Sequence, residues 1–510
     1  MNAAVKPSND VLIAVRNLAK LGGSLGMTLA IGFIIRPLLR RWLGPDAFGP
    51  LDTADGFTAT FFIVLTLGVD GYIRKEIPLR PGHTNDFFAS IFLLRLALSI
   101  PIFLAMQGVM IFFHWPREVQ VLVWFLGLTQ FVQMMNLSFA ALLQAHTTVD
   151  GLSVINVCSK VAWGLASLLG VYLGYGINAV ALALLLSETV KAIVCLALCQ
   201  KHFHLSFASF GWGPAKVIVL ATLPFYLNTV FHTVYNKLDV VLLRQITEGR
   251  LGVLAANQET GWYGAAAGLG GLSMLLVPLL SGVMMPLLAR AKGSDPLEYS
   301  RLIKRSLELV LTVAIPISLA LGIGADVLIS VMIGDAYAPA TLALRLLSPV
   351  YLFIYVSIIS AVVLQLEERA WTLAIMSLVG LGVNLVANLV LIGPAIDRYG
   401  ASFGGGACAL VQILTEAGVA ITMVAMMGRR SLDGRTVKML LKTGVVCLAV
   451  IALDRTLRQR VPQLPGLLRM VLNGLAYFSG VVVTGAVSPR EMIAFAKQAF
   501  RRKRHEPAVL

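Results

Sequence analysis

Ionisable side chains inside long apolar stretches are the residues of this sequence best suited to chemistry. The basic ones are Arg36, Arg95, Lys160, Lys191, Lys237 and Arg345. The acidic ones are Glu188, Glu308 and Glu416. A charge in hydrocarbon is costly unless it faces water or a partner, so these residues are candidates for a transport site.

The basic residues also have structural explanations. Arg36 lies near the end of its stretch, where a long side chain can extend to the membrane interface. Arg95 and Lys160 lie deeper, where the alternative to a cavity role is a structural carboxylate partner. Lys191 follows Glu188 by three residues, a spacing that suits an ion pair on one helix face.

Lys237 stands beside Asp239, so a local ion pair is again the alternative to a role in binding. Glu308 follows Lys304 by four residues and is explained equally well by a helix-surface pair or by ion coupling. Glu416 has no basic residue one turn away, which makes it the better coupling candidate. Coupling would use a proton or a sodium gradient.

Uncharged polar residues and one proline complete the candidates. Asn384 and Asn388 share one helix face, and Asn136 lies in another apolar stretch, where bonds between helices explain them. Pro224 lies early in its stretch and is the preferred hinge, because proline removes a backbone hydrogen bond and bends a helix. Ordinary tolerance of proline in membrane helices is the alternative.

The elements that carry these residues are membrane helices. Hydrophobic residues make up 57% of the 510 positions and charged residues only 13%, against about a quarter in soluble proteins. We predict an all-α polytopic membrane protein of about 14 spans. The net charge of +15 is concentrated at the ends of the apolar stretches. We therefore expect it to orient the helices, and expect no nucleic-acid partner.

Three units are predicted from the order of the spans. Residues 1–206 form an N-terminal six-helix lobe and residues 207–427 a C-terminal six-helix lobe. Residues 428–510 contain two extra helices and a basic tail. More lysines and arginines fall on the cytoplasmic side if the chain starts there, so both termini are expected in the cytoplasm of a bacterial inner-membrane protein.

Five cysteines lie in apolar stretches: Cys158, Cys195, Cys199, Cys408 and Cys447. We interpret them as buried thiols without disulfide bonds. The sequence shows no metal-ligand spacing, no glycine-rich phosphate loop and no His/Asp/Ser constellation. No catalytic residue, metal or cofactor is therefore expected, and an enzyme is the less favoured interpretation.

Five short motifs follow one another along the chain. They are 41–49 (RWLGPDAFG), 237–239 (KLD), 261–266 (GWYGAA), 286–290 (PLLAR) and 388–407, which ends in GGGA. In this order they resemble the polysaccharide (O-antigen type) flippases of the multidrug/oligosaccharidyl-lipid/polysaccharide (MOP) exporter superfamily, and 41–49 resembles the turn after the first helix of that family. The connection before GGGA is longer than the family turn, and residues 364–370 (LQLEERA) lack its usual small residues.

The resemblance implies two pseudo-symmetric six-helix lobes that work by alternating access. The implied cargo is an undecaprenyl-diphosphate-linked oligosaccharide, moved from the cytoplasmic to the periplasmic leaflet for cell-surface polysaccharide synthesis. A cationic cavity would attract its diphosphate through charge-assisted hydrogen bonds. Membrane lipids, and a polysaccharide polymerase with other assembly proteins, are the expected partners.

The sequence also favours related halves without the family. Residues 174–189 and 398–417 both run from Tyr-Gly through small residues into a helix that carries one glutamate, Glu188 or Glu416. Phe48-Gly49 and Tyr263-Gly264 likewise occupy matching places before apolar helices. Two other functions stay open: a multidrug or small-cation exporter of the same superfamily, and a membrane enzyme of glycan polymerisation or ligation.

Overall fold

The computed structural model describes residues 9–68, 84–145, 149–203, 212–428 and 433–486, and every regular element among them is helical. In hydrocarbon, a helix satisfies all its backbone hydrogen bonds internally, which is why apolar stretches of this length fold this way. The α-helices are α1 (Asn9–Phe62), α2 (Thr84–Phe112), α3 (Arg117–Ala145), α4 (Val149–Tyr172), α5 (Gly176–Phe203), α6 (Trp212–Leu251), α7 (Val253–Gly270), α8 (Val277–Ser294), α9 (Pro296–Ile323), α10 (Ala325–Met332), α11 (Ala340–Leu366), α12 (Ala370–Tyr399), α13 (Phe403–Met427), α14 (Gly434–Arg460) and α15 (Gly466–Val483).

Among the described residues, 11 helical segments are long and apolar enough to cross a membrane. They account for twelve of the expected spans, because Lys20–Thr66 contains two of them. The other two expected spans correspond to α6 and to α7 with α8, which a 3-10 segment at Gly271–Leu276 joins. The protein is therefore a multi-pass, all-helical membrane protein.

The two spans within α1 meet at Gly44, the one residue of this helix with non-helical backbone angles (φ 78°). On a straight helix, Arg40 and Asp52 would be about 18 Å apart along the axis. Their side chains instead form a two-pronged contact at 2.8 Å. The chain therefore bends sharply at Gly44, where a residue without a Cβ adopts positive φ at little cost.

Helix packing repeats between the two parts of the chain. In the first part α1 packs on α4, α3 on α5 and α4 on α5. In the second part α6 packs on α12, α11 on α13 and α12 on α13. These pairs follow the same order, as expected for duplicated six-helix units.

Helices α14 and α15 stand outside this arrangement and attach to α9. They contact each other and α9 through a small apolar cluster that includes Val446, Val450 and Tyr477. The predicted boundary at residue 206 lies outside the described residues, as does the basic tail. The limits of the three units accordingly stay a prediction.

The two halves meet along a seam where α1 crosses α6 and α7. We define the seam by Gly49 and Gly56 on α1 and by Gly261 and Gly264 on α7. A Cβ added to Gly49 would collide with the backbone of Asn257, and one on Gly261 with the backbone of Pro45. The related dipeptides at 48–49 and 263–264 thus face each other's helices, an arrangement that their sequence similarity alone did not reveal.

The cysteines are only partly as expected. All five are free thiols, and Cys195, Cys199 and Cys408 are buried. Cys158 is exposed on α4 and Cys447 is half-buried on α14, so the prediction of buried thiols is wrong for Cys158. An apolar stretch does not distinguish the helix face that contacts lipid from the face that contacts protein.

Candidate functional site

Three of the basic candidates come together on neighbouring helices of the first half. Arg36 lies on α1, Lys160 on α4 and Lys191 on α5. Lys160 lies within electrostatic range of both Arg36 and Lys191, and its ammonium also sits 4.0 Å from the ring centre of Trp163. We call Arg36, Lys160 and Lys191 the basic cluster.

Glu188 is the carboxylate of this cluster. Its Oε2 lies 3.8 Å from the ammonium of Lys191, which confirms the expected ion pair one turn along α5. The same oxygen accepts a 2.9 Å hydrogen bond from Asn136 on α3, the interhelical bond expected for that amide. Glu188 is thus held by a lysine and an amide together.

Lys237 joins the cluster from the second half of the chain. Its ammonium on α6 lies 3.0 Å from Oδ2 of Asp55 on α1. The predicted alternative, a pair with Asp239, is wrong, because Asp239 is fully buried and turned toward other partners. A residue two positions along a helix points to a different face, so the two side chains diverge.

Arg40 and Asp52, which the sequence reading did not single out, lie beside the cluster. The guanidinium of Arg40 binds both carboxylate oxygens of Asp52 and the carbonyl oxygen of Gly261 on α7, the latter at 3.2 Å. Arg36 also interacts electrostatically with Asp52 and Asp55. The first half therefore holds two carboxylates, Asp52 and Asp55, that each contact a basic group at the seam.

Arg95 is placed differently from its prediction. Its side chain is fully buried and donates to the backbone carbonyls of Leu65, Thr66 and Met134 at 2.6, 2.9 and 2.7 Å. It also donates to the hydroxyl of Ser138. These carbonyls include the 3-10 turn at Ile63–Thr66, which ends the second span. Arg95 supports the backbone there and does not face the basic cluster.

Arg345 also lies away from the cluster, in the second half. Its guanidinium is 3.7 Å from Asp326, which also binds Arg458 and Arg469 from the last two helices. Arg345 and Arg458 line a cavity of about 520 Å³ between α9, α11 and α14. This group ties the extra helices to the second half.

Glu416 is nearly fully buried and accepts a 2.7 Å hydrogen bond from the hydroxyl of Tyr235 on α6. The ring of His232, also on α6, lies 3.8 Å away. The sequence correctly indicated no basic neighbour on the same helix. It did not reveal that a histidine approaches Glu416 from another helix.

Asp239 is a second buried carboxylate that sequence reasoning missed as a site residue. It accepts hydrogen bonds from Asn388 at 2.8 Å and Tyr263 at 3.3 Å. Asn388 also donates to Asn384, whose amide faces Gln412 at 3.5 Å. The motif at 237–239 and the two asparagines on one face of α12 were signals, but nothing in the sequence connected them.

Glu308 takes a different partner from the one expected. Lys304 lies 3.7 Å from Asp433, and Glu308 accepts a 3.0 Å hydrogen bond from Thr436 at the start of α14. The predicted ion pair between Lys304 and Glu308 is therefore wrong. The start of α14 offers each of these residues a different partner. Pro224 lies within α6, which continues past it as one helix, and its hinge role stays a prediction.

The described residues hold no group of three His, Cys, Asp or Glu side chains that could bind a metal ion. The site is instead an ionic arrangement with two parts. The first is the basic cluster with Asp52, Asp55 and Lys237 at the seam. The second is a buried hydrogen-bonded chain around Asp239 and Glu416. Such an arrangement can bind an anion and exchange a cation without covalent chemistry.

Comparison with solved structures places the fold. An inward-facing multidrug resistance MATE family transporter of the MOP superfamily aligns over 82% of this chain and 98% of its own, with 12% identity and a TM-score of 0.63. An outward-facing conformation of a multidrug resistance MATE family transporter aligns over 84% of this chain and 99% of its own, with 12% identity and a TM-score of 0.58. A MOP superfamily transporter from Pyrococcus furiosus is described as having a binding pocket of reverse polarity. It aligns over 84% of this chain and 100% of its own, with 12% identity and a TM-score of 0.59.

Comparison of sequences gives the family. No curated protein matches the chain significantly. A family model described as polysaccharide biosynthesis protein matches residues 38–342, more than half of the chain, and this range contains the seam together with Lys160 and Lys191 of the basic cluster. The chain therefore belongs to the polysaccharide biosynthesis protein family, and its multi-pass helical fold is similar to that of MOP superfamily transporters.

Proposed function

We propose that this protein is a transporter, a flippase that moves an undecaprenyl-diphosphate-linked oligosaccharide from the cytoplasmic to the periplasmic leaflet. The observation that carries the proposal is the basic cluster, which gathers Arg36, Lys160 and Lys191 from three helices close to Lys237. A diphosphate offers several anionic oxygens, the acceptors that such cations bind best.

The proposed mechanism is alternating access between two lobes, residues 1–206 and 207–427. The described conformation has the seam closed, since the backbones of α1 and α7 approach too closely to admit even a methyl group at Gly49 or Gly261. Separating the halves there would open a path on that side of the membrane. In this proposal the diphosphate stays with the basic side chains while the polyprenyl tail stays in lipid.

An ion gradient would drive the cycle through the buried carboxylates of the second half. Among the described residues, no lysine or arginine forms an ion pair with Asp239 or Glu416. A carboxylate that is buried without a lysine or arginine partner is costly when charged, so it favours uptake of a cation from the gradient. Proton and sodium ion are both compatible with this part of the proposal.

The proposed setting is a bacterial inner membrane with both termini in the cytoplasm. Polysaccharide polymerase and other assembly proteins would act on the cargo after translocation. Export of a small cation is the second candidate, and Asp52, Asp55 and Glu188 are its supporting observation. Each of these carboxylates already contacts a basic side chain, which favours the anionic cargo.

The test is the sidedness of the lipid-linked glycan in cells depleted of the protein, measured with a periplasm-restricted glycan-cleaving enzyme. We expect wild type to restore access to the enzyme and the double variant Lys160→Gln/Lys191→Gln to fail. Lys442→Gln removes an exposed charge from α14 and is the matched control. Glycan that reaches the outer face normally but stays unpolymerised would indicate a later-acting enzyme, and the proposal would then be dropped.

A further inference from the structure

The ion pair between Lys237 and Asp55 connects the two halves of the chain. Lys237 belongs to α6 and Asp55 to the second span of α1, and the charged atoms are 3.0 Å apart. Their side chains are 42% and 32% exposed, so water and a charged ligand can reach them. Ion pairs with this exposure contribute little net free energy and exchange partners readily.

This pair lies beside the tightest contact between α1 and α6. A Cβ added to Gly56, the neighbour of Asp55, would lie 2.9 Å from the carbonyl oxygen of Lys237 and would also collide with the side chain of Val240. The two backbones are therefore already in van der Waals contact where the ion pair forms. Loss of the ion pair would therefore remove a charged contact that holds the two halves together.

The charges around the pair do not balance. The basic groups are Arg36, Arg40, Lys160, Lys191 and Lys237, and the carboxylates are Asp52, Asp55 and Glu188, which leaves an excess of two positive charges. The cavity lined by Arg36, Arg40, Asp52 and Asp55 measures about 30 Å³, which suits water and is too small for a diphosphate. Asp55 thus occupies space and charge that an anionic cargo would need.

We propose that Asp55 is the counter-ion of the cargo site in the empty protein, and that the cargo's diphosphate replaces it on Lys237. This inference rests on the proposed function, because it needs an anionic cargo. The diphosphate brings more negative charge and more acceptor oxygens than one carboxylate, so exchange favours the cargo. The same exchange breaks the contact between Lys237 and α1, which loosens the seam.

The exchange explains how cargo binding shifts the protein between conformations. A ligand shifts an equilibrium only by its different affinity for the two states. In the closed seam the diphosphate competes with Asp55 for Lys237. Once the halves have separated, Asp55 no longer competes for Lys237. Asp55 is therefore a positioning residue that makes opening depend on an anion, and an uncharged polyprenol would leave the seam closed.

The experiment measures the distance across the seam in full-length protein in lipid nanodiscs. Spin labels replace the exposed residues Trp42 on α1 and Leu254 on α7, in a background without native cysteines. The probes are undecaprenyl diphosphate and, as the uncharged control, undecaprenol. In wild type we expect the closed population to fall several-fold with the diphosphate and to be unchanged by undecaprenol.

Two variants isolate Asp55. Asp55→Asn should show a several-fold smaller closed population without any ligand. The charge exchange Asp55→Lys with Lys237→Asp should restore the closed seam without ligand, because it re-forms an ion pair between α1 and α6. Restoration of the closed distance by the double variant would show that the single variant opens because the ion pair is lost.

The inference is overturned if Asp55→Asn stays closed and still opens with diphosphate as wild type does. It is also overturned if the diphosphate leaves the wild-type distance unchanged. In that second case the sidedness of the glycan in cells still tests the flippase function separately. If the protein translocates the glycan but the distance across the seam does not respond to diphosphate, the proposed function stands and the proposed role of Asp55 is wrong.

Discussion

Arg95 and Lys160 show how similar sequence contexts lead to different roles at the scale of single residues. Both are basic residues two to three turns inside apolar helices. Arg95 is fully buried and donates to three backbone carbonyls, whereas Lys160 is half-buried beside Trp163 and other charged groups. The planar guanidinium offers five donors and suits the first task, while the compact ammonium of lysine suits contact with an anion.

Replacing Arg95 with methionine should therefore reduce stability more than it affects binding. Three backbone carbonyl oxygens would lose a donor, two of them in buried hydrogen bonds, at a cost of about 1 to 3 kcal/mol each at most. We expect a clearly lower melting temperature in detergent. Lys160→Met is the matched control and should melt like wild type while failing in glycan translocation. If Arg95→Met is as stable as wild type but does not transport, Arg95 takes part in cargo binding and the structural role is wrong.

Glycine spacing determines how closely the elements of the seam approach. Gly264 and Gly268 lie one turn apart on α7, but only Gly264 faces α1. A Cβ on Gly264 would collide with the carboxylate of Asp52, whereas a Cβ on Gly268 would meet nothing within 4 Å. The small residues of a membrane helix thus have different roles on its two faces.

Gly264→Ala should displace Asp52 from its contact with Arg40 and shift the seam toward the open state. Gly268→Ala should leave the seam closed and raise helix stability slightly, since alanine is favoured over glycine in helices by roughly 0.5 to 1 kcal/mol. The distance between labels at positions 42 and 254 measures both effects. Equal behaviour of the two variants would contradict the close approach at Gly264.

Helix α14 begins with an aspartate cap in the loop that precedes it. Asp433 Oδ1 accepts from the backbone N–H groups of Thr436 at 2.9 Å and Arg435 at 3.0 Å. The bond from Thr436 is the main cause that lowers the pKa of Asp433 below its ordinary value, and Lys304 adds to this effect. The charged form is therefore the one that stabilises the first turn of α14.

Asp433→Ala should increase hydrogen exchange in the first turn of α14, with a loss of about 1 kcal/mol or less because the Asp433 side chain is 40% exposed. Asp433→Asn keeps an N-cap oxygen and is the control. Since the folded pKa is lowered, the stabilisation is complete above the ordinary aspartate pKa of about 3.9 and is lost as the pH falls through the folded value. In wild type, the protection of the first turn of α14 from hydrogen exchange should fall as the pH drops into this range. In Asp433→Ala this protection should not change over the same range.

At the scale of the whole molecule, the order of the helices combined with the charge bias predicts which loops face each compartment. The turn between α4 and α5 contains Tyr175, which is 70% exposed. The turn between α11 and α12 contains the exposed Arg369. With the N-terminus inside, the first turn follows five spans and the second follows ten, so they should lie on opposite sides.

A membrane-impermeant maleimide should label Tyr175→Cys in intact cells and Arg369→Cys only after permeabilisation, in a background without native cysteines. The physical reason is the retention of basic loops in the cytoplasm. The reverse pattern would invert the proposed direction of transport, and labelling of both positions in intact cells would contradict the span count between them.

The sequence by itself determined the class of the protein, the places of its spans and a short set of intramembrane charges. Hydropathy and motif spacing are local properties, and a span of about 20 apolar residues needs no knowledge of its neighbours. The family resemblance rested on the same local signals, at 41–49 and 261–266 above all. The pair of Lys191 with Glu188 was equally predictable, since both residues lie on one helix face.

Only the tertiary structure decided which partner each charge takes. Lys237 meets Asp55 from 182 positions away, and Asn388 meets Asp239 from 149. Arg95 donates to backbone carbonyls, which no sequence pattern predicts, and His232 contacts Glu416 from a different helix. A helix presents its side chains to several neighbours at once, and only the packing of the two halves determines which of those neighbours lies within bonding distance.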